Sequence, residues 1–110
     1  MTLAELLQYL DRNTAFDILD GPPGDTLTKA LADRHGNALA GAIIRGIAEG
    51  NHCSGEESTV DRAASITALG PLRLQYMKDD APVDGFRMLE QIIHAIDGAF
   101  NDEALRAKSR

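Results

Sequence analysis

The sequence predicts an all-α fold, a compact irregular or orthogonal bundle of about five or six short helices. Ala and Leu dominate the apolar residues, whereas Val occurs only at Val60 and Val83 and Trp is absent. Side chains without a branch at Cβ lose little entropy in a helix, and strands prefer β-branched and aromatic residues. Apolar residues also recur at helical spacing in several segments, which Gly or Pro separates.

Length and composition predict one domain, residues 1–110. A chain of 110 residues has the commonest size for a domain, and it buries about two-thirds of its unfolded surface, enough for one hydrophobic core. Hydrophobic residues make up 44% of the chain and charged residues 25%. These fractions are typical of globular proteins and unlike those of disordered chains.

The balance of charge and the single cysteine restrict the class of protein. The net charge of −6, from 17 acidic and 11 basic residues, disfavours attraction to nucleic acid or anionic lipid and suits a basic partner surface. Cys53 alone cannot form an internal disulfide. The first ten residues contain Glu5 and lack the pattern of a signal peptide, and no apolar run approaches the ~20 residues that span a bilayer. We therefore expect a cytoplasmic protein without a membrane segment.

The first helix has both a start signal and an apolar face. Thr2 and Glu5 have the spacing of a capping box, in which their side chains satisfy backbone donors at a helix start. Four leucines follow at the i, i+3, i+4, i+7 spacing of one helical face. They are Leu3, Leu6, Leu7 and Leu10. The strongest break in the chain comes later, at residues 21–24, where two prolines lie between two glycines.

Two helices are predicted after this break. The first follows a cap at Asp25 or Thr26 and ends near Gly36. The second runs from Ala38 to Glu49, and its apolar side is so wide that we expect it at the centre of the domain. Small residues recur along one edge of this second helix and should allow another helix to approach closely. They are Ala38, Ala42 and Gly46.

A polar loop at residues 50–57 precedes two further helices. Ser54 with Glu57, or Ser58 with Asp61, has the capping-box spacing. The helix that follows should place an apolar side on the core and stop near Gly70. That side comprises Val60, Ala63, Ala64 and Thr67. Pro71 suits the first turn of the next helix, which carries Leu72, Tyr76 and Met77.

The clearest helix of the sequence runs from about Val83 to Phe100. One face is apolar and the opposite face is polar, as in a helix that packs on a core along one side. The apolar face comprises Phe86, Leu89, Ile92, Ile93, Ile96 and Phe100. The polar face comprises Asp84, Arg87, Glu90, Gln91, His94 and Asp97.

Two groups of residues contain the side-chain types that bind metals or act as bases. Glu90, His94 and Asp97 follow at i, i+4, i+7 and point the same way. The preferred interpretation of this spacing is a solvated face with local ion pairs, including one from Arg87 to Glu90. His52 and Cys53 adjoin two glutamates, and a helix N-terminus could lower the thiol pKa. A structural zinc site usually needs four ligands, and the competing interpretation is a polar loop before a helix cap. No cofactor motif is present, and no catalytic set can be assigned.

Residues 60–78 resemble the middle of a helix-turn-helix, with small residues, then Leu-Gly, then a second helix. That helix would present Arg73, Gln75 and Lys78 to phosphates or bases. The acidic balance of the chain opposes this hypothesis.

The sequence best fits a small acidic protein-interaction module that is not an enzyme and needs no cofactor. Its partner would be another protein or a second copy of the chain in a homodimer, because several helices have wide apolar sides for so short a chain. The alternatives are a DNA-binding regulator that uses residues 60–78, and a small enzyme or metal-binding protein. The latter would use the His52/Cys53 loop or the Glu90/His94/Asp97 face.

Overall fold

The structure, a computed structural model, describes residues 1–14, 39–78 and 83–108. It confirms the all-α class, since these residues form five helices and no strand beyond one isolated antiparallel bridge between Thr2 and Thr59. The helices are α1 (Leu3–Asn13), α2 (Leu39–Gly50), α3 (Arg62–Ala68), α4 (Gly70–Tyr76) and α5 (Val83–Lys108). The break at residues 21–24, the helix capped at 25 or 26 and its end near 36 lie outside the described residues.

The start of α1 is confirmed as a capping box and is also bonded to a distant loop. The Thr2 side chain accepts from the Glu5 amide, and the Glu5 carboxylate accepts from the Thr2 amide. The next two free amides donate outside the helix, Leu3 to the Ser58 carbonyl and Ala4 to the Glu56 carbonyl, at 2.9 Å each. A helix start leaves its first amides without partners inside the helix, so loop 51–61 completes the N-terminus of α1.

One hydrophobic core joins the five helices. The four predicted leucines of α1 are buried, and α5 packs against α1, α3 and α4. The buried apolar residues are Leu3, Leu6, Leu7, Leu10, Ile43, Ile44, Ile47, Ala48, Val60, Leu69, Leu89, Ile92, Ile96 and Ala99. The predicted apolar face of α5 is confirmed at its three fully buried members, and Phe86, Ile93 and Phe100 are half-buried at its margins.

Helices α2 and α3 approach each other closely at Gly46, where an added Cβ would lie 3.6 Å from the Ala68 carbonyl oxygen, whereas Ala38 of the predicted small-residue edge lies outside the described residues. The edge continues one turn beyond Gly46 to Gly50. A Cβ added at Gly50 would lie 2.5 Å from the Ala68 Cβ and 3.3 Å from the Ala64 carbonyl oxygen. The distance between the two helices therefore depends on glycine at this position.

The Asn51 side chain joins the end of α2 to the start of α3. Its Nδ2 donates to the Ile47 carbonyl at 2.9 Å and to the Ser65 hydroxyl at 3.0 Å, and its Oδ1 accepts from the Asp61 amide at 2.8 Å. Ser65, which is completely buried, donates in turn to the Asp61 carbonyl at 2.7 Å. Both partners of the buried hydroxyl are therefore protein groups, which removes the cost of burying it.

Three local predictions are wrong in an informative way. The cap of α3 is Asp61, whose carboxylate accepts from the Ala64 amide, and neither Ser54 nor Ser58 begins a helix. The Ser58 hydroxyl instead accepts from the Ser54 and Gly55 amides within the loop. The predicted core side of α3 is also wrong at Ala63 and Thr67, which are exposed, because α3 turns Ser65 and Ile66 toward the core.

The last helix is longer than predicted. It continues through Phe100 to Lys108, because residues 99–108 contain no Gly or Pro that would stop it. The last two turns of α5, residues 101–107, are exposed. These turns remain tied to α1, where the Tyr9 hydroxyl donates to Asp102 at 2.9 Å.

Replacing Asn51 with Ala should lower the free energy of unfolding by about 1–3 kcal/mol. The change removes the acceptor of the Asp61 amide, and it leaves the Ile47 carbonyl with only the Asn51 backbone amide and the buried Ser65 hydroxyl with only its bond to the Asp61 carbonyl. Urea denaturation followed by circular dichroism measures the effect. Asn13→Ala is the matched control, since the Asn13 Nδ2 makes the same bond to its i−4 carbonyl at an exposed site. An equal loss in both variants would contradict the role given to Asn51.

Gly50→Ala should destabilise the protein by about 1–3 kcal/mol, because the new methyl group overlaps Ala68 and forces α2 and α3 apart. Gly70→Ala is the control, since a Cβ at Gly70 would meet nothing within 4 Å. Thermal unfolding should show a lower midpoint for the first variant and an unchanged or slightly higher one for the second. A neutral Gly50→Ala variant would show that the two helices are not in close contact.

Candidate functional site

The His52/Cys53 loop first serves to end α2. The His52 amide donates to the Glu49 carbonyl at 3.1 Å and the Cys53 amide to the Ala48 carbonyl at 2.9 Å. This pair of bonds is the Schellman motif, which requires a left-handed residue, and His52 has φ 55°. The position usually belongs to Gly or Asn, so the backbone geometry already explains the turn without a ligand.

Cys53 lacks the environment of an activated thiol. Its side chain is half-buried, and burial raises the pKa of the Cys53 thiol. It also follows the C-terminus of α2, where the helix dipole disfavours a negative charge. The expected activation by a helix N-terminus does not occur, because α3 begins only at Arg62.

The predicted polar face of α5 is tied to two other helices by ion pairs. Glu90 accepts from the Arg73 Nε of α4 at 2.5 Å, and Asp97 pairs with Arg62 of α3. The expected local Arg87–Glu90 pair is therefore replaced by one between helices. The His94 side chain lies exposed between the two carboxylates.

This face borders an open groove of about 610 Å³. The opposite wall is the end of α1, and a Cβ added at Gly98 would lie 3.4 Å from the Tyr9 hydroxyl oxygen. The groove contains all three predicted residues Glu90, His94 and Asp97. Among the described residues, no group of three or more His, Cys, Asp or Glu side chains has an arrangement that could hold a metal ion.

The segment predicted to resemble a helix-turn-helix forms two helices of seven residues each, with only Leu69 between them. A DNA-binding motif of this kind has a turn of about three or four residues. Gln75 and Lys78 are exposed, as the hypothesis requires. Arg73 is also about half exposed, but its guanidinium is engaged by Glu90.

Helix α4 and its C-cap residue Met77 expose two large apolar side chains that the sequence analysis did not single out as a surface. Leu74 is 68% exposed and Met77 is 57% exposed. They are three residues apart and therefore share one face of the helix. We call these two residues the α4 patch. Another exposed leucine, Leu105, lies at the far end of α5 and is 62% exposed.

A second groove, of about 510 Å³, lies between α1 and the last turns of α5, and sequence reasoning missed it. We call it the α1–α5 groove. Its charged side chains are Glu5, Arg12, Asp102, Glu103 and Arg106. The signal was present in the sequence as charges spaced along one face of each helix, but only the packing of α1 on α5 brings them together.

The length and composition of the described helices bear on whether any of them could cross a membrane. None of them combines the length and the apolar character that crossing a bilayer requires. Helix α5 has the length, with 26 residues, but it carries the charged groups described above.

Cys53 should react with iodoacetamide more slowly than glutathione does at pH 8, because a raised pKa leaves less thiolate and the side chain is half-buried. Mass spectrometry of the alkylated protein over time gives the rate. Unfolding in urea should bring the rate up to that of a free peptide thiol. A folded protein that reacts faster than glutathione would contradict this assignment and favour an enzyme that uses Cys53.

Comparison with known proteins adds no relative to this description. No protein-family model, no curated protein and no solved structure matches the chain. The functional interpretation therefore depends on the geometry of the described residues.

Proposed function

We propose that this chain is a non-enzymatic protein-interaction module that binds another protein, or a second copy of itself, through the α4 patch. The observation that supports this most directly is the exposure of Leu74 of α4 and of Met77, its C-cap residue three positions later. Scattered single apolar residues are normal on a protein surface. Two large neighbouring side chains on one helical face are a more selective feature.

The packing of α4 explains why these two side chains are free for another role. Leu72 and Tyr76, four residues apart, turn toward the core, and the Tyr76 ring occupies the space that a Cβ at Gly85 would need. This contact and the Arg73–Glu90 ion pair hold α4 on α5. Leu74 and Met77 lie on the other side of α4, so they do not pack into the hydrophobic core of the described residues.

Burial of the α4 patch in an interface would contribute enough free energy to make the patch a binding hot spot. Full burial of a Leu or Met side chain contributes about 1.5–3 kcal/mol, and a few such residues usually dominate an interface. Lys78, one turn after Leu74, adds a positive charge beside the patch. The net charge of −6 favours encounter with a basic protein by long-range attraction.

Replacing both Leu74 and Met77 with Gln should abolish partner binding and leave the fold intact, since both side chains are exposed. Light scattering after size-exclusion chromatography reports self-association, and affinity capture from cells of the source organism reports other partners. Leu105→Gln is the matched control, because it removes an equally exposed leucine elsewhere.

The expected result is binding by the wild type and by Leu105→Gln, and none by the double variant. Circular dichroism should show equal helix content in all three proteins. A wild type that stays monomeric at every concentration and captures nothing beyond what the double variant captures would contradict the proposal.

The DNA-binding alternative rests on the exposure of Gln75 and Lys78. It has less support, because Arg73 would have to leave Glu90 before reaching a phosphate. Fluorescence anisotropy with random duplexes at low salt tests it through the double variant Arg73→Ala with Lys78→Ala. No binding by the wild type would exclude it.

The metal-binding or enzymatic alternative rests on the groove beside Glu90, His94 and Asp97, or on the His52/Cys53 loop. Metal analysis of the purified protein tests it. The absence of bound metal, together with unchanged properties of His94→Ala and Cys53→Ser, would exclude it.

A further inference from the structure

We propose that Met77 is a sulfoxidation site, and that its oxidation by a peroxide turns the α4 patch from an apolar surface into a polar one. Met77 is 57% exposed and forms the patch together with Leu74. The oxidation itself needs no partner. Its regulatory consequence, the release of a bound protein, rests on the proposed function of the patch.

Met77 is the most exposed of the four sulfur-containing side chains, which are three methionines and one cysteine. Met1 and Met88 are half-buried and pack against the hydrophobic core, and only 9% of the Met1 side chain is exposed. Cys53 is also half-buried, and burial raises the pKa of its thiol. Little of the thiolate that a peroxide attacks is therefore present at Cys53. A peroxide in solution should reach Met77 first.

The fold holds α4 in place without the Met77 sulfur. The Met77 amide caps the C-terminus of α4 by donating to the Leu74 carbonyl at 3.2 Å, a bond made by the backbone alone. The Tyr76 ring against Gly85 and the Arg73–Glu90 ion pair hold α4 on α5. Oxidation of Met77 should therefore change the surface of α4 and leave the helix in position.

The oxidation is a two-electron transfer from the sulfur to the peroxide. A lone pair of the Met77 sulfur attacks one oxygen of hydrogen peroxide, so that an S–O bond forms as the O–O bond breaks. The second oxygen leaves as water after it takes up the proton of the transferred hydroxyl. The flexible apolar thioether becomes a polar sulfoxide that accepts hydrogen bonds. An apolar interface that buries the thioether favourably would have to desolvate the sulfoxide, which costs free energy.

Treatment of the full chain with limiting hydrogen peroxide tests the proposal. Peptide mass spectrometry follows the gain of about 16 Da per sulfoxide. Met77 should react at the rate of free methionine and several-fold faster than Met88. Hydrophobic-interaction chromatography of the folded protein reports the surface, and the oxidised wild type should elute earlier than the reduced one.

Two volume-conserving variants separate Met77 from the other sulfur groups. Met77→Leu keeps an apolar patch that peroxide cannot oxidise, so its elution should not change after treatment. Met88→Leu is the matched control, because it removes a half-buried methionine, and it should show the same earlier elution as the wild type. Circular dichroism before and after treatment distinguishes a change of surface from unfolding.

Several results would overturn the proposal. They are oxidation of Met1 or Met88 before Met77, unchanged elution after full conversion of Met77, and an earlier elution of peroxide-treated Met77→Leu. Light scattering and affinity capture measure partner binding separately. If the reduced wild type binds nothing, the proposed function fails, while the oxidation rates and the elution still decide the assignment of Met77. Binding that survives full conversion of Met77 would overturn its regulatory role.

Discussion

The position of three helices depends on one short polar loop and on the Asn51 side chain that holds it. Asn51 connects the last turn of α2 to the first residues of α3 through bonds to Ile47, Asp61 and the buried Ser65. The same loop supplies the carbonyls that complete the start of α1. An asparagine can satisfy both a donor and an acceptor at once, so one side chain fixes the loop from two directions.

Beyond this junction, α5 organises the rest of the described fold. Its apolar face covers α1, and ion pairs with Arg62 and Arg73 fix α3 and α4 along its polar side. Half-exposed pairs of this kind contribute little to stability by themselves, so their main effect is on the orientation of the short helices. The α4 patch remains exposed in the described fold, and the functional proposal depends on it.

The sequence predicted those features that depend on neighbouring residues. The Thr2–Glu5 capping box and the four leucines of α1 are local patterns, and the structure confirms both. The start of α3 was harder to predict from the sequence. Ser54, Ser58 and Asp61 all resemble caps, and only tertiary bonds to the Asn51 side chain favour Asp61. The exposure of Leu74 was hidden for a similar reason, since it depends on which side of α4 meets α5.

The candidate sites also depend on contacts between helices, which local sequence patterns do not show. Glu90 was expected to pair with a residue of its own helix, but its partner Arg73 comes from α4, and no spacing rule reports a contact between helices. His52 and Cys53 resembled a chemical site because of their residue types. Their backbone instead closes α2, and neither side chain needs a ligand to explain its position.

Hydrogen exchange of single amides in the folded protein, compared between the wild type and Asn51→Ala, tests the role of the loop most directly. If Asn51 holds the junction, the amides of Leu3 and Ala4 should lose protection together with that of Asp61, although Asn51 touches neither residue of α1. A loss of protection confined to Asp61 would contradict the account, because it would show that α1 is positioned without the loop.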